Sequence, residues 1–395
     1  MRQIFLSVHC DRDLPKSGPL LSAKKSGLLS RMLLGAAVST LVVIGGCGGD
    51  SSSDVVTALS GSSANTNPAN VAAATTQSVP SSRMKAVLDQ LAALGAKPID
   101  TLTVAQARTQ PTPADAVKAL LVKEGKSTAP EAVGSVVDRT FPGPAGPIPI
   151  TIYTPAGSGP FPVALYIHGG GWVIADRKVY DSSARALTNA AGAIIVSTDY
   201  RLGPENRFPA AHDDTFAAYQ WVLANATSLN GDPTRLAVVG ESAGGNLAAS
   251  IAIQARDQGV PLPLHQVLIY PVTNYAFDTP SQVANPDSAP LSTKALKWFY
   301  ERYLNSPADG ANPRFSVLRA NLQGLPPATV INADIDPLRS EGAAYAQRLI
   351  AAGVKVDYRN YSGVTHEFFG MGAVLDEAKL AVAQAALGLR QAFRN

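Results

Sequence analysis

The sequence predicts an α/β fold in which a mostly parallel β-sheet is flanked by helices. From about residue 190 onward, short apolar runs alternate with helical segments, which is the pattern of consecutive strand–helix units. The apolar runs, such as AIIVSTDY and ATVINAD, are rich in β-branched residues, as expected for strands that are buried on both faces. Apolar residues make up 46% and charged residues 16% of the 395 residues, so the chain can bury a large core.

The first 47 residues are predicted to be a targeting segment and not part of the fold. Lys24, Lys25 and Arg31 precede the apolar run MLLGAAVSTLVVIGG, which is shorter than the roughly 20 residues that span a bilayer. The run ends in IGGC, which resembles a bacterial lipobox with Cys47 as the lipid-bearing residue. Residues 1–47 therefore predict an anchor in the bacterial cell envelope, on the periplasmic or outer surface. An ordinary secretory signal, giving a secreted protein, is the alternative.

Three further regions follow the targeting segment. Residues 48–80 are rich in Ser, Thr, Asn, Ala and Gly and have almost no aromatic residues, which predicts a flexible linker. Residues 81–126 have apolar residues at helical spacing, with Thr112 as a plausible N-cap. Residues 127–395 are predicted to form the α/β domain.

The α/β domain is predicted to open with short antiparallel strands and to continue with parallel strands. The β-rich entry region contains the strands GSVVDRTFPG, PIPITIYTP and PVALYIHGGG. The strands that alternate with helices after it are AIIVSTDY, RLAVVGES, QVLIYPV, ATVINAD and KVDYRNYSG. Helices are predicted near residues 181–191, 212–226, 243–258, 293–305, 339–352 and 374–393.

Composition excludes several classes of protein. The two cysteines, Cys10 and Cys47, both precede the predicted α/β domain, which excludes a disulfide framework and a cysteine-based metal site. The formal charge is only +3, and no basic stripe with interleaved aromatic residues occurs in the domain, so nucleic acid is not an expected partner. No metal or organic cofactor is implied, and the oligomeric state stays open.

A G-x-S-x-G motif lies where a predicted strand meets a predicted helix. It consists of Gly240, Glu241, Ser242, Ala243 and Gly244. Such a tight turn exposes the serine hydroxyl at the carboxyl edge of the sheet, where α/β proteins bind ligands. The motif therefore predicts Ser242 as a nucleophile, and the alternative is a serine that merely caps a helix.

A second glycine-rich turn supplies the groups that such a nucleophile needs. The sequence HGGGW, residues 168–172, follows another predicted strand. Its glycines leave backbone N–H groups accessible to a ligand, as acyl transfer requires for the developing oxyanion. Among the histidines, only His366 lies on a loop directly after the last predicted strand. A general base is expected at this position in such a fold.

The acidic partner of the histidine is less sharply defined. Asp334 and Asp336 both lie at the end of the penultimate strand, and alternation puts both on one face if the chain stays extended. Pro337 stiffens the turn after Asp336 and favours that residue.

Several sequence blocks together resemble the hormone-sensitive-lipase-like α/β-hydrolases, the bacterial esterase/lipase group with the HGGG motif. The blocks are HGGGW, DYRLGPENRFPAAHDD, GESAGGNLAA, DPLRSEG and GVTHEFF, and the resemblance runs from about Arg139 to the C-terminus. It implies the α/β-hydrolase fold, with residues 81–126 as part of a helical cap and residues 127–395 as the catalytic domain. Glu241 and Glu367 depart from the commonest form of the family motifs.

The resemblance also implies the assignment of the site residues. Asp336 is the acid of the catalytic triad, and the N–H groups of Gly170, Gly171 and Ala243 are the oxyanion donors. The expected activity is hydrolysis of short- to medium-chain acyl esters through an acyl-enzyme, with a small-molecule ester as the partner. A lipase acting on longer-chain glycerides, an amidase or peptidase with the same triad, and a non-catalytic binding protein are the alternatives.

Overall fold

A computed structural model describes residues 78–394 of the chain. The predicted targeting segment 1–47, including Cys47, and residues 48–77 of the predicted linker lie outside the described residues. In the described part of the chain, no helix combines the length and the apolar character needed to cross a bilayer.

The centre of the fold is an eight-stranded sheet with the order β1-β2-β4-β3-β5-β6-β7-β8. Its strands are β1 Ser135–Gly143, β2 Gly146–Thr154, β3 Phe161–Ile167, β4 Ile194–Thr198, β5 Gly231–Glu241, β6 Gln266–Ile269, β7 Ala328–Ile335 and β8 Val356–Thr365. The pairs β1–β2 and β2–β4 are antiparallel, and all other pairs are parallel. The predicted fold class, with an antiparallel opening and a mostly parallel sheet, is confirmed.

Ten α-helices occur within residues 78–394. They are α1 Ser82–Ala93, α2 Val104–Thr109, α3 Pro113–Lys123, α4 Asp181–Ala191, α5 Ala210–Asn225, α6 Ala243–Gln258, α7 Pro280–Ala284, α8 Thr293–Tyr303, α9 Arg339–Ala351 and α10 Asp376–Ala392. The helices predicted in the α/β domain lie within about two residues of these bounds. Helices α2 and α7 were not predicted, because their 6 and 5 residues are too few for a periodic apolar pattern.

The two faces of the sheet support two apolar cores. Val163, Leu165 and Ile167 of β3 belong to one core, while the intervening Ala164 and Tyr166 belong to the other. This alternation follows from the pleat, which sends successive side chains to opposite faces. Residues of α5, α6, α8 and α9 contribute to the first core, and residues of α1, α3, α4 and α10 contribute to the second. Burial on both faces explains why the central strands are continuous apolar runs.

The N-terminal helices are held against the end of β8. The backbone N–H of Ser81 donates to the carbonyl oxygen of Gly363 over 2.8 Å, and Arg83 of α1 forms an ion pair with Glu124, just beyond α3. Thr112 is the N-cap of α3, as predicted, because its hydroxyl accepts the N–H of Asp115 over 3.2 Å. The contacts of Ser81 with Gly363 and of Arg83 with Glu124 place α1 and α3 near the carboxyl edge of the sheet.

Candidate active site

Ser242 lies in the sharp turn between β5 and α6. Its backbone torsions, φ 57° and ψ −119°, fall in a region that side-chain-bearing residues rarely adopt. A Cβ atom at Gly240 would overlap the carbonyl oxygen of Gly244, and one at Gly244 would overlap the carbonyl oxygen of Ile167. The turn therefore needs glycine at both positions, and its strained backbone presents the serine hydroxyl above the carboxyl edge of the sheet.

Three residues from distant segments form one hydrogen-bonded line. The Ser242 hydroxyl donates to Nε2 of His366 over 2.8 Å, and Nδ1 of His366 donates to Oδ2 of Asp336 over 2.7 Å. All three side chains are buried. The other Asp336 oxygen accepts the N–H of Leu338 over 2.8 Å, which fixes the carboxylate. This arrangement allows the imidazole to take a proton from the serine.

The second acidic candidate has different partners. Asp334 pairs with Nη1 of Arg339 at 2.7 Å and accepts a hydrogen bond from Asn360 over 3.2 Å. The pairing of β7 with β8 shifts register between Ala333 and Ile335, so the alternation of a regular strand does not extend through this segment. As a result, only Asp336 contacts His366.

The surroundings of His366 favour its protonated form. Burial opposes the charge, but the charge and hydrogen bond of Asp336, followed by the charges of Glu367 and Glu241, outweigh it and raise the pKa of His366. A general base acts in its neutral form, so the raised pKa shifts the onset of base catalysis to higher pH.

The glycine-rich turn places free amides beside the serine. Gly170 and Gly171 have φ values of 95° and 58°, and the carbonyl oxygen of Gly170 accepts the N–H of Ile174 over 3.0 Å. Within residues 78–394, no hydrogen bond uses the N–H of Gly170, Gly171 or Ala243 as donor. Ala243 is the first residue of α6, where backbone amides lack helical partners. These three amides are available to hold an oxyanion.

Aromatic residues support this turn from behind. The Tyr200 hydroxyl donates to the carbonyl oxygens of His168 and Gly169 over 3.1 and 3.0 Å, and its ring stacks on His168 at 4.3 Å between centroids. Trp172 is fully buried, stacks on Tyr303 at 4.9 Å and also lines the cavity above Ser242. His168 therefore belongs to the framework of the turn and does not compete with His366 for the serine.

A cavity of about 450 Å³ opens above Ser242 and His366. Its wall comes from three parts of the chain: residues 88–113 of the N-terminal helical region, residues 287–300 around α8, and the glycine-rich turn with its following loop. The indole N–H of Trp298 in α8 donates to the carbonyl oxygen of Leu102 over 3.0 Å, which joins the first two parts. Sequence reasoning assigned a covering function to residues 81–126 alone and missed the contribution of α8.

Two further carboxyl groups, those of the buried Glu241 and the partly exposed Glu367, also lie beside the three site residues. Glu241 accepts hydrogen bonds from the hydroxyls of Tyr166 and Tyr270, and burial, together with the charge of Glu367, raises its pKa to about 7. Glu367 accepts a hydrogen bond from the hydroxyl of Tyr180 over 2.8 Å, and burial raises its pKa as well. The sequence marked both positions as departures from the family motifs, but it gave no indication that they lie together.

Residues 78–394 contain no group of three or more His, Cys, Asp or Glu side chains arranged to hold a metal ion.

Comparison with known proteins identifies relatives over most of the described region. A model of a family with the α/β-hydrolase fold matches residues 164–370. The carboxylic ester hydrolase LipN of Mycobacterium tuberculosis is 41% identical over 249 residues, which are 61% of this chain and 66% of that protein. Ethyl acetate hydrolase of Pseudomonas putida is 36% identical over 272 residues, which are 68% of this chain and 85% of that protein.

Solved structures agree with this result. A hyperthermophilic esterase from the archaeon Pyrobaculum calidifontis superposes with a TM-score of 0.73 at 38% identity, covering 79% of this chain and 98% of that chain. The carboxylesterase EstE1, cloned from a metagenomic library, gives a TM-score of 0.69 at 34% identity over 75% of this chain and 99% of that chain. The predicted fold and family are confirmed, and the chain belongs to the hormone-sensitive-lipase-like family of α/β-hydrolases.

Proposed function

We propose that this protein is a serine carboxylic-ester hydrolase that cleaves short- to medium-chain acyl esters. The observation that carries the proposal is the continuous hydrogen-bonded line from Ser242 through His366 to Asp336 at the floor of a cavity. The relatives named carboxylic ester hydrolase and ethyl acetate hydrolase support the same class of substrate.

The first half of the reaction forms an acyl-enzyme. His366 takes the proton of the Ser242 hydroxyl while the serine oxygen attacks the ester carbonyl carbon. The N–H groups of Gly170, Gly171 and Ala243 hold the oxyanion of the tetrahedral intermediate. Collapse of the intermediate breaks the bond to the alcohol oxygen, which receives the proton from His366. Asp336 stabilises the imidazolium between these two proton transfers.

The second half of the reaction releases the acid. A water molecule gives a proton to His366 and attacks the acyl carbon. The bond from that carbon to the Ser242 oxygen then breaks, and His366 returns the proton to the serine. The enzyme regains its starting state, with no cofactor required.

The cavity supports the preference for small acyl esters. Its volume of about 450 Å³ lies within the range of small-molecule sites. Apolar side chains from both covering segments line it, including Leu91, Ile99, Leu296 and Phe299. An acyl chain is stabilised when it leaves water for such an apolar wall.

Covalent labelling and turnover test the proposal together. A fluorophosphonate probe is expected to label the wild-type protein and Ser228→Ala, a control at an exposed serine, but not Ser242→Ala. Turnover of p-nitrophenyl butyrate is expected to exceed that of the palmitate ester and of butyryl p-nitroanilide. Labelling that persists in Ser242→Ala, with unchanged turnover, would refute the assigned nucleophile, and preferred palmitate or anilide turnover would refute the substrate class.

We further propose that lipid on Cys47 anchors the protein to the bacterial cell envelope. The support is the sequence alone, in which Cys47 ends an apolar run after a basic segment and opens the polar residues 48–80. The full-length wild type and Cys10→Ser are expected to incorporate labelled palmitate and to enter the detergent phase of Triton X-114, unlike Cys47→Ser. Unlabelled wild-type protein in the aqueous phase would instead indicate a secreted protein.

A further inference from the structure

Glu367 occupies an unusual position directly after His366. Its φ of 70° lies in the left-handed region, where glycine is favoured and a side chain costs conformational energy. Its side chain lines the same cavity as Ser242 and His366. A carboxylic acid held in a disfavoured backbone conformation beside the imidazole points to a function in the reaction.

The distances define what this carboxyl group can reach. Oε1 of Glu367 lies 3.8 Å from Nε2 of His366, which is too far for a direct hydrogen bond. One water oxygen can bridge that separation with hydrogen bonds of about 2.8 Å to each group. The Tyr180 hydroxyl donates to the same carboxyl group over 2.8 Å and holds it in place. Among the described residues, no hydrogen bond uses its second oxygen, Oε2.

We propose that Glu367 is a further catalytic residue, which orients the water that cleaves the acyl-enzyme and so favours water over alcohols as the acyl acceptor. This inference rests on the proposed function, because it requires an acyl group on Ser242.

The two O–H bonds of water explain the mechanism. One donates to Nε2 of His366, and its proton moves to that nitrogen as the water oxygen bonds to the acyl carbon. The other donates to the Glu367 carboxylate and stays on the oxygen. With both hydrogens fixed, a lone pair of the oxygen faces the acyl carbon. The bond from the acyl carbon to the Ser242 oxygen then breaks, the serine regains a proton from His366, and the carboxylic acid leaves. Glu367 undergoes no net change in protonation.

An alcohol cannot satisfy both groups in this position. Its single O–H must donate to His366 for base catalysis, so its alkyl group faces the Glu367 carboxylate. An apolar group there removes water from the carboxylate without replacing the hydrogen bond. Glu367 therefore lowers the rate of acyl transfer to alcohols relative to hydrolysis.

Glu241 provides a matched control for the charge alone. It is a buried acid near His366, but its oxygens accept the hydroxyls of Tyr166 and Tyr270 and it does not line the cavity. Glu241→Gln removes a negative charge without changing the groups that contact the water.

The test measures how the acyl-enzyme divides between two acceptors. The full-length protein turns over p-nitrophenyl butyrate at a fixed methanol concentration, on the alkaline plateau of its rate profile, and methyl butyrate and butyric acid are quantified. Their ratio depends only on steps after acylation, whichever step limits turnover. We expect Glu367→Met, which keeps the side-chain volume, to raise the ester-to-acid ratio about tenfold, as for loss of one charge-assisted hydrogen bond. Glu367→Gln, which keeps an acceptor oxygen, is expected to raise it less, and Glu241→Gln is expected to leave it unchanged.

The outcomes separate this inference from the proposed function. An unchanged ratio in folded Glu367→Met, or an equal rise in Glu241→Gln, would overturn the orientation of water by Glu367. If Glu367→Met does not fold, Tyr180→Phe replaces it, and we expect a smaller rise because the carboxylate loses its hydroxyl partner. Turnover that persists in Ser242→Ala would instead overturn the proposed function, and this inference with it.

Discussion

Asp334 and Asp336 differ in their partners although they are only two residues apart. Asp336 receives the hydrogen bond from His366, while Asp334 pairs with Arg339. The alternation of a strand puts both on one face, so their spacing alone could not separate them, and Pro337 only favoured Asp336. The deciding feature is the register shift between β7 and β8, which depends on the partner strand. The family resemblance identified Asp336 because it rests on the DPLRSEG motif and not on the spacing of residues along the strand.

Substitution of each aspartate by asparagine gives the first prediction. Asp336→Asn is expected to lower the kcat for p-nitrophenyl butyrate by about 10⁴-fold, because the amide no longer holds the imidazole in the required tautomer. Asp334→Asn is expected to retain most of the activity, since its partners lie outside the triad. Steady-state kinetics on both variants, with circular dichroism as a check of folding, decide the matter. A greater loss for Asp334→Asn would reverse the assignment.

At the scale of the elements, local signals predicted the long helices well. Thr112 indicated the start of α3, and the helix predicted near residues 243–258 corresponds to α6. The covering function of α8 had no such signal, because it depends on contact between Trp298 and Leu102, 196 residues apart in sequence. Contacts at that separation follow from packing and not from local periodicity.

The N-cap of α3 gives the second prediction. Thr112→Ala removes the hydroxyl that accepts the N–H of Asp115, so we expect the free energy of unfolding to fall by about 1 kcal/mol. Urea denaturation measures the change. Lys118→Ala, at an exposed position in the same helix, is the control and is expected to change stability little. Equal stability of Thr112→Ala and the wild type would show that the cap contributes nothing.

For the whole molecule, strand order explains why the site was predictable and its cavity was not. Ser242, Asp336 and His366 each directly follow a strand of one parallel group, β5, β7 and β8. Parallel strands end at the same edge, so a sequence that alternates strands and helices already places the three residues together. The shape of the cavity depends instead on how two covering segments pack, and no short sequence pattern encodes that packing.

The stability of the whole molecule provides the third prediction. Glu341 is buried, its carboxyl group accepts the N–H of Thr273 over 2.7 Å, and burial raises its pKa to about 8. An unfolded glutamate titrates near about 4.3. At pH values between these two pKa values, the Glu341 carboxyl group is protonated in the folded state and ionised in the unfolded state. The contribution of Glu341 to stability is therefore complete at acid pH and is lost as the pH rises through about 8.

Glu341→Gln has no proton to lose and is expected to avoid this loss. We expect its Tm to rise relative to the wild type when the pH is increased from about 5 to about 9. Thermal unfolding followed by circular dichroism at both pH values measures the difference. Glu301→Gln, at an exposed position in the last turn of α8, is the control for an acid without burial. A constant Tm difference for Glu341→Gln would contradict a buried acid that titrates near neutrality.

The order of the three site residues along the chain also has a consequence for synthesis. Ser242 precedes His366, the proposed base, by 124 residues. A nascent polypeptide leaving the ribosome therefore carries its reactive hydroxyl long before the imidazole that activates it has been translated. The site stays incomplete until residue 366 has been synthesised, so the appearance of activity marks the synthesis of all eight strands of the described sheet.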